Sequence, residues 1–195
     1  MKRVLLLVPK GVELYEMSAF YDVFGWAALE GLEPVELICA GPEREVRSSF
    51  GLKLVLDHTL DDISADDFDA LAVPGGFEEF GFYDHAFSEP VADLIRRFRE
   101  QDKQIASICV GALPLAHSGI LKGRQATTYA HGGGKRRHQL AELGAEVLDQ
   151  EIVEDNRLIT STGPATAVEV AFKLLEWTTS RKNADHVRAL MGFER

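Results

Sequence analysis

Residues 104–111 read Gln-Ile-Ala-Ser-Ile-Cys-Val-Gly, and the fold follows from how they are read. Gln104 to Cys109 is a short apolar run without alternation, as in a strand buried on both faces. It passes without a spacer into VGALPLAHSG, a helical stretch. Ser107-Ile108-Cys109-Val110-Gly111 has the form small-x-nucleophile-x-small, the pattern of a nucleophile elbow with cysteine in place of serine. Small flanking residues permit a sharp strand-to-helix turn, which leaves Cys109 on strained backbone. A helix beginning at Val110 would set its positive end beside the sulfur, predicting a thiol pKa well below the usual value of about 8.5. The plain alternative is that Cys109 is a small buried hydrophobe, the ordinary state of a free cysteine.

Working outward, RVLLLVP near the N-terminus, PVELICA and ALAVPGG are further buried-strand candidates beside QIASIC. Helical stretches separate them. Met17, Phe20, Tyr21, Phe24 and Ala28 recur at helical spacing, with Gly31 at the helix end. Ser88 is a candidate cap, Pro90 lies in the first turn, and Val91, Leu94, Ile95 and Phe98 share one face. Leu52, Leu54 and Leu56 alternate between Glu45 and Asp57, which predicts short antiparallel strands at an edge. ATTY reads as strand, KRRHQLAEL as a basic helix, EVLDQEIV and RLITST as β-rich. ATAVEVAFKLLEW closes the order as a helix with Ala167, Val170, Ala171 and Leu174 on its core side. Strands alternating with helices predict one α/β domain over 1–195, doubly wound, with a mostly parallel sheet and helices on both faces. Function in such sheets sits beyond the C-terminal strand ends, here Pro9, Gly75-Gly76 and Cys109.

The 195 residues fit one domain with a sizeable core. Twenty-one basic and 31 acidic side chains leave a net charge of −10, which disfavours nucleic acid and anionic membranes as partners. Two cysteines, Cys39 and Cys109, make no disulfide framework, and Cys39 reads as core. No apolar run approaches the roughly 20 residues of a membrane span, and Val4–Val8 is too short for a signal-peptide core. The expectation is a cytoplasmic globular protein. His58, His85, His138 and His186 show no metal-ligand spacing, so no metal and no cofactor are expected. His131-Gly132-Gly133-Gly134-Lys135 lacks phosphate-loop spacing, with Arg136 where a serine or threonine would stand.

Several segments, in this order and spacing, resemble the ThiJ/PfpI superfamily, a branch of the class I glutamine amidotransferase-like fold. They are Lys10-Gly11-Val12-Glu13-Leu14-Tyr15-Glu16 after the first strand, AVPGG at 72–76, ASICVGA around Cys109, and LITSTGPATAVE at 158–169. By that resemblance Cys109 matches the elbow cysteine and Glu16 the acid that hydrogen-bonds its sulfur. Gly76 and Val110 match the backbone N–H donors of an oxyanion-hole-like pocket. A carboxyl against a thiolate is costly unless protonated, so such a geometry implies a raised Glu16 pKa. The resemblance also implies a homodimer, and the apolar tail Val187, Leu190, Met191, Phe193 suggests a surface needing cover.

Two departures matter. Val110 stands where peptidase-like members carry histidine, so the Cys-His pair is absent. Members with glyoxalase or deglycase activity carry a TTH-like motif, and here the chain reads Thr127-Thr128-Tyr129-Ala130-His131. Tyr129 takes the histidine's place. If the strand continues, His131 lies on the same face two residues on. The resemblance therefore implies chemistry on a small electrophile such as an α-oxoaldehyde, with Cys109 as nucleophile, Glu16 as acid-base, and Tyr129 or His131 as a third group. The alternatives are a redox sensor working through Cys109 oxidation and an amide or peptide hydrolase.

Overall fold

In the computed structural model, which describes residues 1–193, the buried runs form strands in chain order, with helices between them. They are β1 (Lys2–Leu7), α1 (Leu14–Glu30), β2 (Val35–Gly41), β3 (Glu45–Arg47), β4 (Lys53–Val55), β5 (His58–Thr59) and β6 (Ala70–Val73). There follow α2 (Phe82–Ala86), α3 (Glu89–Glu100), β7 (Gln104–Ser107), α4 (Ala112–His117), β8 (Gln125–Ala126) and α5 (Lys135–Glu142). The chain closes with β9 (Glu146–Val147), β10 (Ile152–Asp155), β11 (Leu158–Ser161), α6 (Ala167–Thr178) and α7 (Arg181–Leu190).

Seven strands make the main sheet in the order β10-β11-β7-β6-β1-β2-β5, parallel throughout except for the β10 edge. The predicted doubly wound α/β domain is present. Leu6 sits beside Ala72, and Ala72 beside Ala106, so β1, β6 and β7 end level with one another. From β1 the chain winds one way through β2 and β5. From β6 it winds the other way through β7 and β11. The crevice above the β1/β6 boundary is therefore the switch point where an open α/β sheet presents its site. Val4 to Val8, Ala70 to Val73, and Ile105 to Ala106 have no exposed surface, which explains their unalternating apolar sequence.

Several details differ from the sequence expectation. The buried face of α1 is Glu16, Ala19, Phe20, Val23, Phe24 and Ala27, whereas Tyr21 is 53% exposed and Ala28 is exposed. The buried stripe is rotated from the one read in the sequence, keeping Phe20 and Phe24 but replacing Tyr21 and Ala28 with Ala19, Val23 and Ala27, and the helix packs against α6 and β2. Ser88 occupies the cap position of α3, but its hydroxyl donates to the His85 carbonyl (2.7 Å) instead of capping. The alternating leucines lie around a hairpin, β3 with β4, separate from the main sheet. Strand β8 stops at Ala126, so Thr127 to His131 is not strand, and the face argument that carried His131 lapses. The C-terminal tail closes only in part on its own domain, with Leu190 and Phe193 still exposed. Val187 is fully buried, Met191 packs on the core, and Phe193 sits edge-on to Phe172 at 5.9 Å. Cys39 packs against the core, half-buried, and burial pushes its thiol up to about 11.

Candidate active site

Strand β7 ends at Ser107, and two residues on Cys109 has φ of +56°, in the left-handed region that a non-glycine residue enters only at a cost. A single 3₁₀ turn, Cys109–Gly111, leads directly into α4. This is the strained elbow anticipated from the sequence. Its geometry is over-determined from both sides. The Gly111 N–H donates to the Ile108 carbonyl (2.8 Å), and the Thr128 hydroxyl donates to the Cys109 carbonyl (2.8 Å). A side chain at Gly111 would lie 2.4 Å from the Val73 carbonyl oxygen, so the elbow can press against β6 only with glycine there.

Glu16, in the first turn of α1, is fully buried although it is a carboxylic acid. Its Oε2 accepts from the Gly75 N–H at 2.6 Å. Its Oε1 is buried without a well-directed partner. The ligand atoms of Glu13, Glu16 and Cys109 all lie within 4.8 Å of one another. Burial and then the charge of Glu13 push the Glu16 carboxyl up to about 8, so it holds its proton at neutral pH, as the sequence reading implied. Burial also raises Glu13.

The thiol moves the opposite way from expectation. Burial raises it first and the Glu16 carboxylate raises it further, while the Val110 N–H, which reaches the sulfur, is alone in pulling it down. Helix α4 is too short, and Cys109 at 6% exposure too dry, for a helix terminus to overcome desolvation. A thiol and a carboxyl that each hold a proton release the first of them as a pair.

Glu13 was not singled out in the sequence; its position three residues before Glu16, on the same side of the helix start, was the available signal. Gly75 was also overlooked as a donor. A Cβ there would meet Glu16 Oε2 at 2.8 Å and Cys109 Cβ at 3.1 Å. Glu13, Glu16 and Cys109 form the set of Cys, His, Asp and Glu side chains, among the described residues, close enough together to hold a cation. Ligands bind deprotonated, so the raised proton affinity of all three favours proton exchange over ligation.

Gly76 follows on the same loop, bridged antiparallel to Val12, with the Phe77 N–H donating to the Gly11 carbonyl (3.0 Å). A Cβ on Gly76 would lie 2.2 Å from the Gly11 carbonyl oxygen and 2.4 Å from Phe82 Cδ2. Gly76→Ala is accordingly expected to lower stability by about 2–4 kcal/mol, read as a fall in the urea midpoint at unchanged slope. The basic start of α5 is not merely solvated: Lys135 (3.1 Å) and Arg136 (2.7 Å) both pair with Glu78 just beyond Gly76. Tyr129 is half-buried against the core, and His131 is exposed with its ring edge-on to Tyr129 at 5.6 Å. His117 stacks on Phe87 at 4.6 Å. The LITSTG segment buttresses this region, with Thr160 Oγ1 accepting from the Thr127 N–H (2.9 Å) and the Thr166 hydroxyl donating to Ser161 Oγ (2.8 Å).

Known proteins resemble this chain over most of its length. The glutathione-independent glyoxalase DJ-1 of Schizosaccharomyces pombe is 32% identical over 189 residues, covering 93% of this chain and 93% of its own. A crystal structure of Drosophila melanogaster DJ-1beta matches with a TM-score of 0.85 at 28% identity, over 97% of both chains. The deglycase PfpI of Pyrococcus furiosus is 30% identical over 119 residues, which span 61% of this chain and 68% of that protein. The model of the DJ-1/PfpI family matches residues 2–177, and the chain belongs to that family.

Proposed function

We propose that this protein converts a small α-oxoaldehyde such as methylglyoxal to the corresponding hydroxy acid, with Cys109 as nucleophile and Glu16 as proton carrier. The observation that carries the reading is a strained, nearly buried cysteine beside a fully buried carboxyl that still holds its proton at neutral pH. The names of the S. pombe and P. furiosus relatives support the same class of chemistry.

In the proposed reaction the sulfur bonds to the aldehyde carbon as its proton passes to the pair's carboxylate, giving a hemithioacetal. The Gly76 and Val110 N–H groups receive the oxygen on which negative charge develops. Glu16 hands that proton to the new hemithioacetal oxygen, and its freed carboxylate takes the hydrogen from the former aldehyde carbon. It returns that hydrogen to the neighbouring ketone carbon while the hydroxyl proton moves from the first oxygen to the second, leaving a thioester of the hydroxy acid. Water cleaves the thioester, releases the acid and restores the thiol. The net change is addition of one water, without oxidant or reductant. Tyr129 is the proposed orienting group for the second carbonyl, supported by its half-buried place, whereas the exposed His131 is less suited to serve as base.

Because the pair sheds its first proton near pH 8, kcat/KM for methylglyoxal is expected to rise with pH, reach half its maximum near pH 8 and level off about a unit above. Lactate production followed from pH 5.5 to 9.5 checks this, and a profile flat across pH 8 sinks the pairing of Glu16 with Cys109. Oxidation of Cys109 to a sulfinate is the second reading, supported by the unpartnered Glu16 Oε1, which a sulfinate oxygen would satisfy. It predicts a mass gain of two oxygens under mild peroxide that Cys109→Ser lacks.

We also propose a homodimer located in the cytoplasm. The exposed Tyr15, Tyr21, Trp26 and Leu29 on the outer side of α1 support it better than the C-terminal tail does. Light scattering is expected to give twice the 21.6 kDa of one chain at micromolar concentration. A mass of one chain overturns the dimer.

A further inference from the structure

Glu16 has no exposed surface through which to trade a proton with water. Its Oε2 is occupied by the Gly75 N–H at 2.6 Å, so the acidic proton belongs on Oε1, which is buried without a protein partner. A buried donor of that kind calls for an acceptor. Glu13 is placed to be one. It holds the cap position of α1 in extended backbone (φ −79°, ψ 119°), and its N–H donates to the Gly75 carbonyl at 2.9 Å. Its carboxylate makes no bond to the first N–H groups of the helix, so capping does not occupy it. It lies instead within 4.8 Å of both the Glu16 carboxyl and the Cys109 sulfur, a span that a small rotation or a single water closes. Glu13 is only half-buried, so the two carboxyls run from the sealed interior toward solvent.

We propose that Glu13 is the proton exit of the site, taking the proton from Glu16 Oε1, passing it to solvent and bringing one back by the same route. The role rests on the reading of Glu16 as the carrier of the substrate's hydrogen. While Glu16 carries it, the sulfur is bonded to the substrate carbon and holds no proton. Of the three clustered groups, Glu13 alone then remains to exchange with Glu16. The Glu16 hydroxyl gives the former aldehyde hydrogen to the Glu13 carboxylate, which releases it to water. Glu13 takes a proton back from water and hands it to Glu16, so the two carboxyls begin and end with one proton between them. No bond to carbon changes and no electrons are gained or lost. Burial raises the proton affinity of both carboxyls, which matches donor to acceptor better than an ordinary solvated carboxylate would.

Methylglyoxal turnover in deuterium oxide tests this. The parent protein is expected to release lactate that is mostly deuterated at C2. Glu13→Gln is expected to lower the deuterated share about tenfold, because the amide keeps the side chain's size but cannot take up a proton. A site that is merely damaged returns hydrogen to carbon more slowly, which leaves more time for exchange and raises the deuterated share instead. A second measurement needs no turnover. In Cys109→Ser protein, where sulfur cannot relay, the carboxyl resonance of Glu16 is followed by NMR through its titration with carboxyl-labelled glutamate. One line that moves with pH is expected with Glu13 present, and two separate lines, one per protonation state, once Glu13→Gln is added. If the parent makes no lactate, the proposed function fails and the exit is judged on the carboxyl line alone, as it is if only Glu13→Gln makes none. Hydrogen kept at C2 by the parent, or a deuterated share in Glu13→Gln within about twofold of the parent's, overturns the proposal. So do two lines with Glu13 in place or a single moving line without it.

Discussion

Cys109→Ser is expected to lower methylglyoxal turnover by about 10⁴-fold or more, to the background of the uncatalysed reaction. The substitution removes one kind of atom and little else. Serine keeps the size class, and it faces the same left-handed backbone at φ +56°, so the elbow should persist. The hydroxyl is a far weaker acid than a thiol, and the site that raises the thiol by burial would raise the hydroxyl too. Glu16, with a pKa of about 8, is strong enough as a base to share a proton with sulfur and too weak to take one from an alcohol. Lactate release by the two proteins at equal concentration is the measurement. A serine variant retaining more than about a hundredth of the activity means sulfur is not the nucleophile. A parent protein no faster than the variant rejects methylglyoxal as substrate and moves the weight to Cys109 oxidation.

Glu16→Gln is expected to make the protein more stable while nearly stopping turnover. In the folded state the carboxyl is raised from 4.5 to about 8, mainly by burial. In the unfolded chain it titrates near the ordinary value. Below about pH 4.5 both states hold the proton and burial carries no ionisation cost. Between pH 4.5 and pH 8 the unfolded chain releases the proton and the folded chain does not, so stability falls as pH rises through that window. At pH 7 the loss is about 2–3 kcal/mol, for a group with no exposed surface. Glutamine still accepts from the Gly75 N–H and has no proton to lose. The gain in urea stability should therefore be about 2–3 kcal/mol at pH 7 and vanish near pH 4. Turnover should fall about 10²–10⁴-fold, since an amide cannot carry the proton between carbons. Equal stability of the two proteins at both pH values would mean Glu16 is ionised in the fold, and the proton-carrier role would go with it.

Buried strands without alternation, separated by amphipathic helices, permit little except a parallel sheet covered on both faces. The linear order therefore carried the fold class, and the S-I-C-V-G elbow was legible for the same local reason. A nucleophile at a strand-to-helix turn needs small neighbours within two residues, and Ser107 and Gly111 are such neighbours. Glu16 became legible only through resemblance, because a carboxylate at a helix start looks like a solvated one.

What the tertiary structure decided lies where distant segments share one space. It buried Glu16 completely between the Gly75 loop and Cys109, added Glu13 to the pair, and raised the thiol that a helix terminus had been expected to lower. It ended β8 at Ala126, leaving His131 in solvent. Local pattern reports backbone geometry, since sterics and hydrogen bonding act within a few residues. Proton affinity depends on how much water remains around a group, and that is set only when the ends of β1, β6 and β7 meet.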